Sequence, residues 1–110
     1  ELPHLPDSCP NEYVAARMVY PADLLAKNIS GYALCEFTID KEGVILRPHI
    51  LKSTHPEFAE EALRIVKEMP KWTPALVGGK PADSTYTLYV PFRPRLYKEQ
   101  VRERGLSKKD

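Results

Sequence analysis

The chain has 110 residues, 43% of them hydrophobic and 28% charged, which suffices for one compact domain with one core and falls short of two. Its 16 basic and 15 acidic side chains leave a formal charge of +1, too weak a field to hold a phosphate backbone, so nucleic acid is not an expected partner. No apolar run approaches the roughly 20 residues that span a bilayer, and no signal-peptide pattern opens the chain.

The start at Glu1, without an initiator Met, leaves room for an upstream anchor or signal. Pro3 and Pro6 make the first nine residues an extended lead-in. A short helix is expected over 11–18, with Tyr13 and Arg17 stacked at a spacing of four. A second helix is expected over 21–27, because Pro21 suits a first helical position and Asn28 tolerates the left-handed conformation that ends a helix.

In 32–40, Ala33, Cys35, Phe37 and Ile39 alternate with polar or half-polar neighbours, the signature of a half-buried strand. Glu42 and Gly43 supply a tight turn into a second strand over 44–53. Ile45 falls out of phase with Pro48 and Ile50 there, and Pro48 has no N–H, so a bulge is expected near Arg47. Thr54 and Glu57 have the spacing of a capping box. The helix that follows runs to Pro70, with Phe58, Ala62, Ile65, Val66 and Met69 on one stripe and Glu60, Glu61, Arg64, Lys67 and Glu68 facing water. Residues 71–84 read as an irregular connection anchored by Trp72. A third strand follows, with Tyr86, Leu88, Val90 and Phe92 on one face and Thr85, Thr87 and Tyr89 on the other. Pro91 within it predicts an edge strand, since an interior proline would leave a neighbour's carbonyl unpaired. The basic stretch after Arg93 reads as a solvated tail with a short helix.

The residues that carry chemistry do not assemble into a site. Cys9 and Cys35 match no metal or redox spacing; one disulfide or pairing with other chains stays open to them, and separate thiols are the favoured reading, with Cys35 a protonated core residue. His4, His49 and His55 are scattered, with no pair at the spacing of metal ligands. Gly78-Gly79-Lys80 leads into a strand instead of opening a helix, so it is not a phosphate loop. The reading is a non-catalytic binding domain with no cofactor and no metal. What it offers is backbone: an edge strand exposes a row of N–H and C=O groups that an extended partner could bond.

Tyr20-Pro21, Gly31, the alternation from Ala33 to Ile39, Asp40 with Gly43, Ser53, Ala62 and Val66 form an ordered series. It continues through Met69-Pro70-x-Trp72-x-Pro74 and Gly79-Lys80-Pro81 to Val90-Pro91-Phe92. The series resembles the C-terminal domain of TonB, the energy transducer of Gram-negative envelopes, over residues 20–93. The resemblance implies an α+β, two-layer fold: a three-stranded antiparallel sheet with two helices packed on one face. Residues 1–19 then form a lead-in and 94–110 a charged tail, while Tyr20, Pro21, Gly31, Gly43, Trp72, Pro74, Pro91 and Phe92 are structural positions of the family. It further implies that Thr85, Tyr86, Thr87, Leu88, Tyr89 and Val90 form the strand that pairs with the extended N-terminal motif of a TonB-dependent outer-membrane transporter. Such a domain is periplasmic, held to the inner membrane and its motor proteins through an N-terminal region absent from this chain. The alternative is an interaction or sensory domain of another envelope protein whose last strand pairs with a second copy of itself, giving a homodimer.

Overall fold

A computed structural model describes residues 2–6 and 9–109. Glu1, Asp7 and Ser8 of the expected lead-in and Asp110 of the tail lie outside the described residues. The order of elements is α1 (Pro10–Arg17), α2 (Ala22–Ala26), β1 (Gly31–Ile39), β2 (Ile45–Ser53), α3 (Pro56–Lys67), β3 (Ala75–Val77), β4 (Lys80–Ala82), β5 (Ser84–Phe92) and α4 (Pro94–Lys109).

Strands β2, β1 and β5 form one antiparallel sheet in that spatial order. Alternation places Ala33, Cys35, Phe37 and Ile39 of β1, together with Leu88, Val90 and Phe92 of β5, on a single buried face. Helix α3 covers that face with Phe58, Ala62, Ile65 and Val66, all at most 1% exposed. Burying Phe58, Ile65 and Val66 contributes about 1.5–3 kcal/mol each, so this layer outweighs any surface ion pair. Phe58 stacks on Phe92 at 4.1 Å between ring centroids, and Tyr20 meets both edge-on at 5.6 Å. At the opposite end Trp72 packs against Phe37 and Tyr86.

Several expectations hold in detail. Arg17 lies 3.8 Å from the centroid of the Tyr13 ring, and Asn28 ends α2 with φ 58°. The sheet register slips between Glu36 and Thr38, opposite Arg47 and Pro48, with Arg47 at φ 52°. That is the expected bulge, and a second slip opposite Leu51 accompanies it.

Others are corrected. Pro21 is the residue before α2 and not its first helical residue, and its carbonyl accepts from Leu25 N–H at 2.9 Å. The capping box does not form: His55 stands at the N-cap of α3 without a side-chain bond. Thr54 is engaged across the sheet, its Oγ1 accepting from Tyr32 N–H at 3.0 Å. The β1 backbone is close enough to compete because Gly31 has no side chain, and a Cβ there would stand 2.0 Å from Thr54 Oγ1. Residues 75–82 are not irregular, for β3 and β4 pair as a small hairpin turned by Gly78 and Gly79. Strands of three residues are too short to show an alternation.

Glu61 does not face water. Its carboxylate, 9% exposed, accepts from Val19 N–H at 2.7 Å and from Arg64 Nε and Nη2 at 2.8 and 2.7 Å. Arg64 Nη2 also donates to the Arg17 carbonyl at 3.0 Å. Hydrogen bonding to Glu61 raises the guanidinium pKa further, against the opposing effect of burial. The pair thus ties α3 to the end of α1, and Tyr13 adds a bond to the Glu68 carbonyl at 2.9 Å.

Gly43 is the tightest backbone position of the hairpin between β1 and β2. Its φ is 87°, its carbonyl accepts from Trp72 N–H at 2.9 Å, and a Cβ would stand 2.0 Å from the Trp72 carbonyl oxygen. Gly43→Ala is expected to lower unfolding free energy by about 2–3 kcal/mol through combined strain and collision. Gly78→Ala has a positive φ but open space around it and should cost only about 1 kcal/mol. Urea unfolding monitored by Trp72 fluorescence separates the two. Glu61→Ala should cost about 2–3 kcal/mol in the same assay, since it leaves the Val19 N–H unpaired and the Arg64 guanidinium without its carboxylate.

Candidate functional site

A strand residue turns its N–H and C=O to one side, and its neighbours in sequence turn theirs to the other. Tyr32 faces β2: its carbonyl accepts from Thr54 N–H at 3.0 Å and its N–H donates to Thr54 Oγ1 at 3.0 Å. Leu34, Glu36 and Thr38 therefore also face β2, while Gly31, Ala33, Cys35, Phe37 and Ile39 face β5. The unbroken register pairs those five with Phe92, Val90, Leu88, Tyr86 and Ser84. By elimination, Thr85, Thr87, Tyr89 and Pro91 direct their backbone away from the sheet.

Strand β5 is the last strand on its side of the sheet. The six residues expected to bind a partner thus divide by alternation. Thr85, Thr87 and Tyr89 are exposed and offer N–H and C=O outward. Tyr86, Leu88 and Val90 bond β1 with their backbone and, from half-buried Tyr86 to fully buried Val90, turn their side chains to the helix layer. Pro91 presents only a carbonyl, so the outward ladder of donors ends at Tyr89.

The opposite border, β2, is a poorer template. Two register slips, Pro48 and the positive φ of Arg47 interrupt its backbone, the features by which sheets blunt an edge. The other family positions are structural in place: Tyr20, Trp72 and Phe92 are buried, and the Tyr20 hydroxyl donates to the Ile29 carbonyl. Pro74, half-buried, opens onto the small hairpin after Trp72.

Charged and nucleophilic groups stand apart from one another. His49 Nε2 lies 3.1 Å from Glu36 Oε1 on the outer sheet face, and His55 packs edge-on against Phe58. Among the described residues no three His, Cys, Asp or Glu side chains converge as metal ligands, and no helix is long and apolar enough to cross a membrane. Cys9 is exposed and Cys35 buried, both as free thiols.

Missed from sequence was a groove at the C-terminal end of the β5 border, about 330 Å³ in volume, walled by α1, β5 and α4. Its residues come from two stretches far apart in the chain, 11–18 and 89–100, and the local signal is the apolar spacing of Val14 and Met18.

Strand β5 thus has one satisfied and one open side, at the border of a sheet whose inner face is covered by α3. The family model of the Gram-negative bacterial TonB protein C-terminal domain matches residues 16–94, and the chain belongs to this family of energy-transducing, protein-binding domains of transport systems. The structure is similar to the solution structure of the TonB C-terminal domain of Pseudomonas aeruginosa, with 27% identity, a TM-score of 0.57 and coverage of 70% of this chain and 78% of that one. It is also similar to the TonB2 protein of Vibrio anguillarum, with 28% identity, a TM-score of 0.55 and coverage of 70% and 74%. No curated protein matches the chain significantly.

Burial pushes the Cys35 thiol up to about 11, with a backbone hydrogen bond from His49 opposing it. Native protein at pH 8 should therefore lose one thiol, Cys9, to a water-soluble alkylating reagent, with Cys35 reacting only on unfolding. The folded thiol holds its proton to higher pH than the unfolded one. Its contribution to stability is complete below the unfolded value near 9 and is lost as pH rises from there through about 11,. A Cys35→Ala comparison of urea midpoints across that range reads the difference in slope.

Proposed function

We propose that this domain binds the extended N-terminal motif of a TonB-dependent outer-membrane transporter by adding it as a fourth strand to β5, and so couples energy from the inner membrane to uptake. The observation that carries this reading is the regular row of outward N–H and C=O groups at Thr85, Thr87 and Tyr89, set against a bulged opposite border. Main-chain bonds supply the affinity, and alternate side chains supply a limited sequence preference. Tension along an added strand loads its bonds together, which suits a domain that passes on force. Residues 20–93 carry this task in the periplasm. The tether to the inner membrane and its motor proteins belongs to a region outside this chain. The chemistry is binding alone, without a catalytic residue or a cofactor.

Titration with a transporter N-terminal peptide should move the backbone amides of Thr85, Thr87 and Tyr89 more than those of β2. Thr87→Pro removes one outward donor and should weaken the peptide about tenfold or more while the fold persists, as Pro91 already persists in the same phase. Leu88→Pro, which removes a bond to β1, should unfold the sheet. Unmoved β5 amides in the presence of bound peptide would sink the reading. Amide shifts at β5 that follow protein concentration without peptide would transfer it to self-pairing, and sedimentation measures that directly.

A further inference from the structure

We propose that the groove between α1, the β5 border and α4 receives one bulky apolar side chain of the added segment, and that basic α4 favours an acidic residue beside it. The inference rests on strand addition to β5 and names what the added strand must contain.

Geometry sets the position. Every second side chain of a strand laid against β5 points to the helix layer, as Leu88 and Val90 do. Beside Tyr89 and Pro91 that layer is not filled: the groove opens there, about 330 Å³ in volume, walled chiefly by Val14, Ala15, Met18, Leu96 and Tyr97. Leu96 and Tyr89 keep 44% and 47% of their surface in water at its margin. The outward carbonyls of Tyr89 and Pro91 border the same space, so hydrogen-bonding backbone and an apolar recess stand together. That combination suits an extended chain with one large apolar side chain and does not suit a small polar ligand.

Charge sets the neighbour. Arg93 contributes to the groove wall, and with Arg95, Lys98 and Arg102 on the first turns of α4 it outnumbers the two acidic residues there, Glu99 and Glu103. A second copy of this chain would bring its own β5, which has no acidic residue from Ser84 to Phe92, and so would not match this strip. Most of the groove lies outside the span shared with the family, since Asn11, Val14 and Ala15 precede residue 16 and Leu96, Tyr97 and Gln100 follow residue 94. This recess is where the chain acquires a preference of its own.

The test is selection of a displayed library of random dodecapeptides on the full chain, followed by titration of a synthetic winner. Winners should share one bulky apolar position flanked by Asp or Glu. Replacing the apolar residue by Ala should weaken binding about tenfold, the effect of leaving a Leu-sized group unburied. Ala15→Leu, which fills the groove from α1, should abolish that tenfold discrimination while leaving the affinity of the Ala-bearing peptide unchanged. If circular dichroism shows that variant unfolded, Leu96→Glu replaces it and should repel the acidic winner on the exposed side of the groove. Winners that shift β5 amides but tolerate Ala at every position, on wild type and variant alike, overturn the groove and leave strand addition standing. Winners that leave the β5 amides unmoved, or a library without winners, overturn both.

Discussion

Pairing in a sheet is directional at each residue, and the domain is organised by the point at which it stops. Strand β1 is satisfied on both sides, by β2 through Tyr32, Leu34, Glu36 and Thr38 and by β5 through the residues between them. Strand β5 is satisfied on one side only, and closing the second within the monomer would need a fourth strand that the topology does not supply. The same period of two that sends Leu88 and Val90 into the core directs the backbone of Thr85, Thr87 and Tyr89 outward. Core burial therefore holds the open row in register: a slip by one residue would expose Val90 and bury Tyr89, at about 1.5–3 kcal/mol for each apolar side chain lost from the core.

The two borders of the sheet show how a protein keeps one edge available and closes the other. On β2, two extra residues and Pro48 break the spacing of donors and acceptors, so a visiting strand would find few consecutive partners. On β5 the register with β1 is unbroken from Ser84 to Phe92, and the single proline lies at the C-terminal end, where it limits the ladder without interrupting it. Helices α1 and α4 stand at that same end. The position of α1 depends on polar bonds as well as on burial, since Glu61 and Arg64 hold its carboxyl end through Val19 N–H and the Arg17 carbonyl.

Legibility followed the range of the interaction concerned. The alternation from Ala33 to Ile39 and from Tyr86 to Phe92, the stripe on α3, the bulge at Arg47 and the edge marked by Pro91 all rest on neighbours within a few residues, and all could be read from the chain. The capping box at Thr54 and Glu57 was a local signal of the same kind, yet it lost to a contact 22 residues away, because the β1 backbone at Tyr32 reaches the hydroxyl first. Glu61 sits on the polar side of the helical stripe by sequence, but its partners are an arginine one turn on and a backbone amide 42 residues earlier. No local pattern marks such a carboxylate as buried.

The chain by itself determined the three long strands and the main helix, which of their faces are apolar, and that the last strand belongs at a border, because hydrophobic period, proline and glycine act on their immediate neighbours. Only the folded molecule decided which residues of β5 turn their backbone outward, that the bulged β2 forms the rival border, and that two segments flanking the family's common span meet beside β5 to form a recess. Those outcomes depend on register between distant strands and on helices brought together from opposite ends of the chain, and neither is encoded in the spacing of adjacent residues.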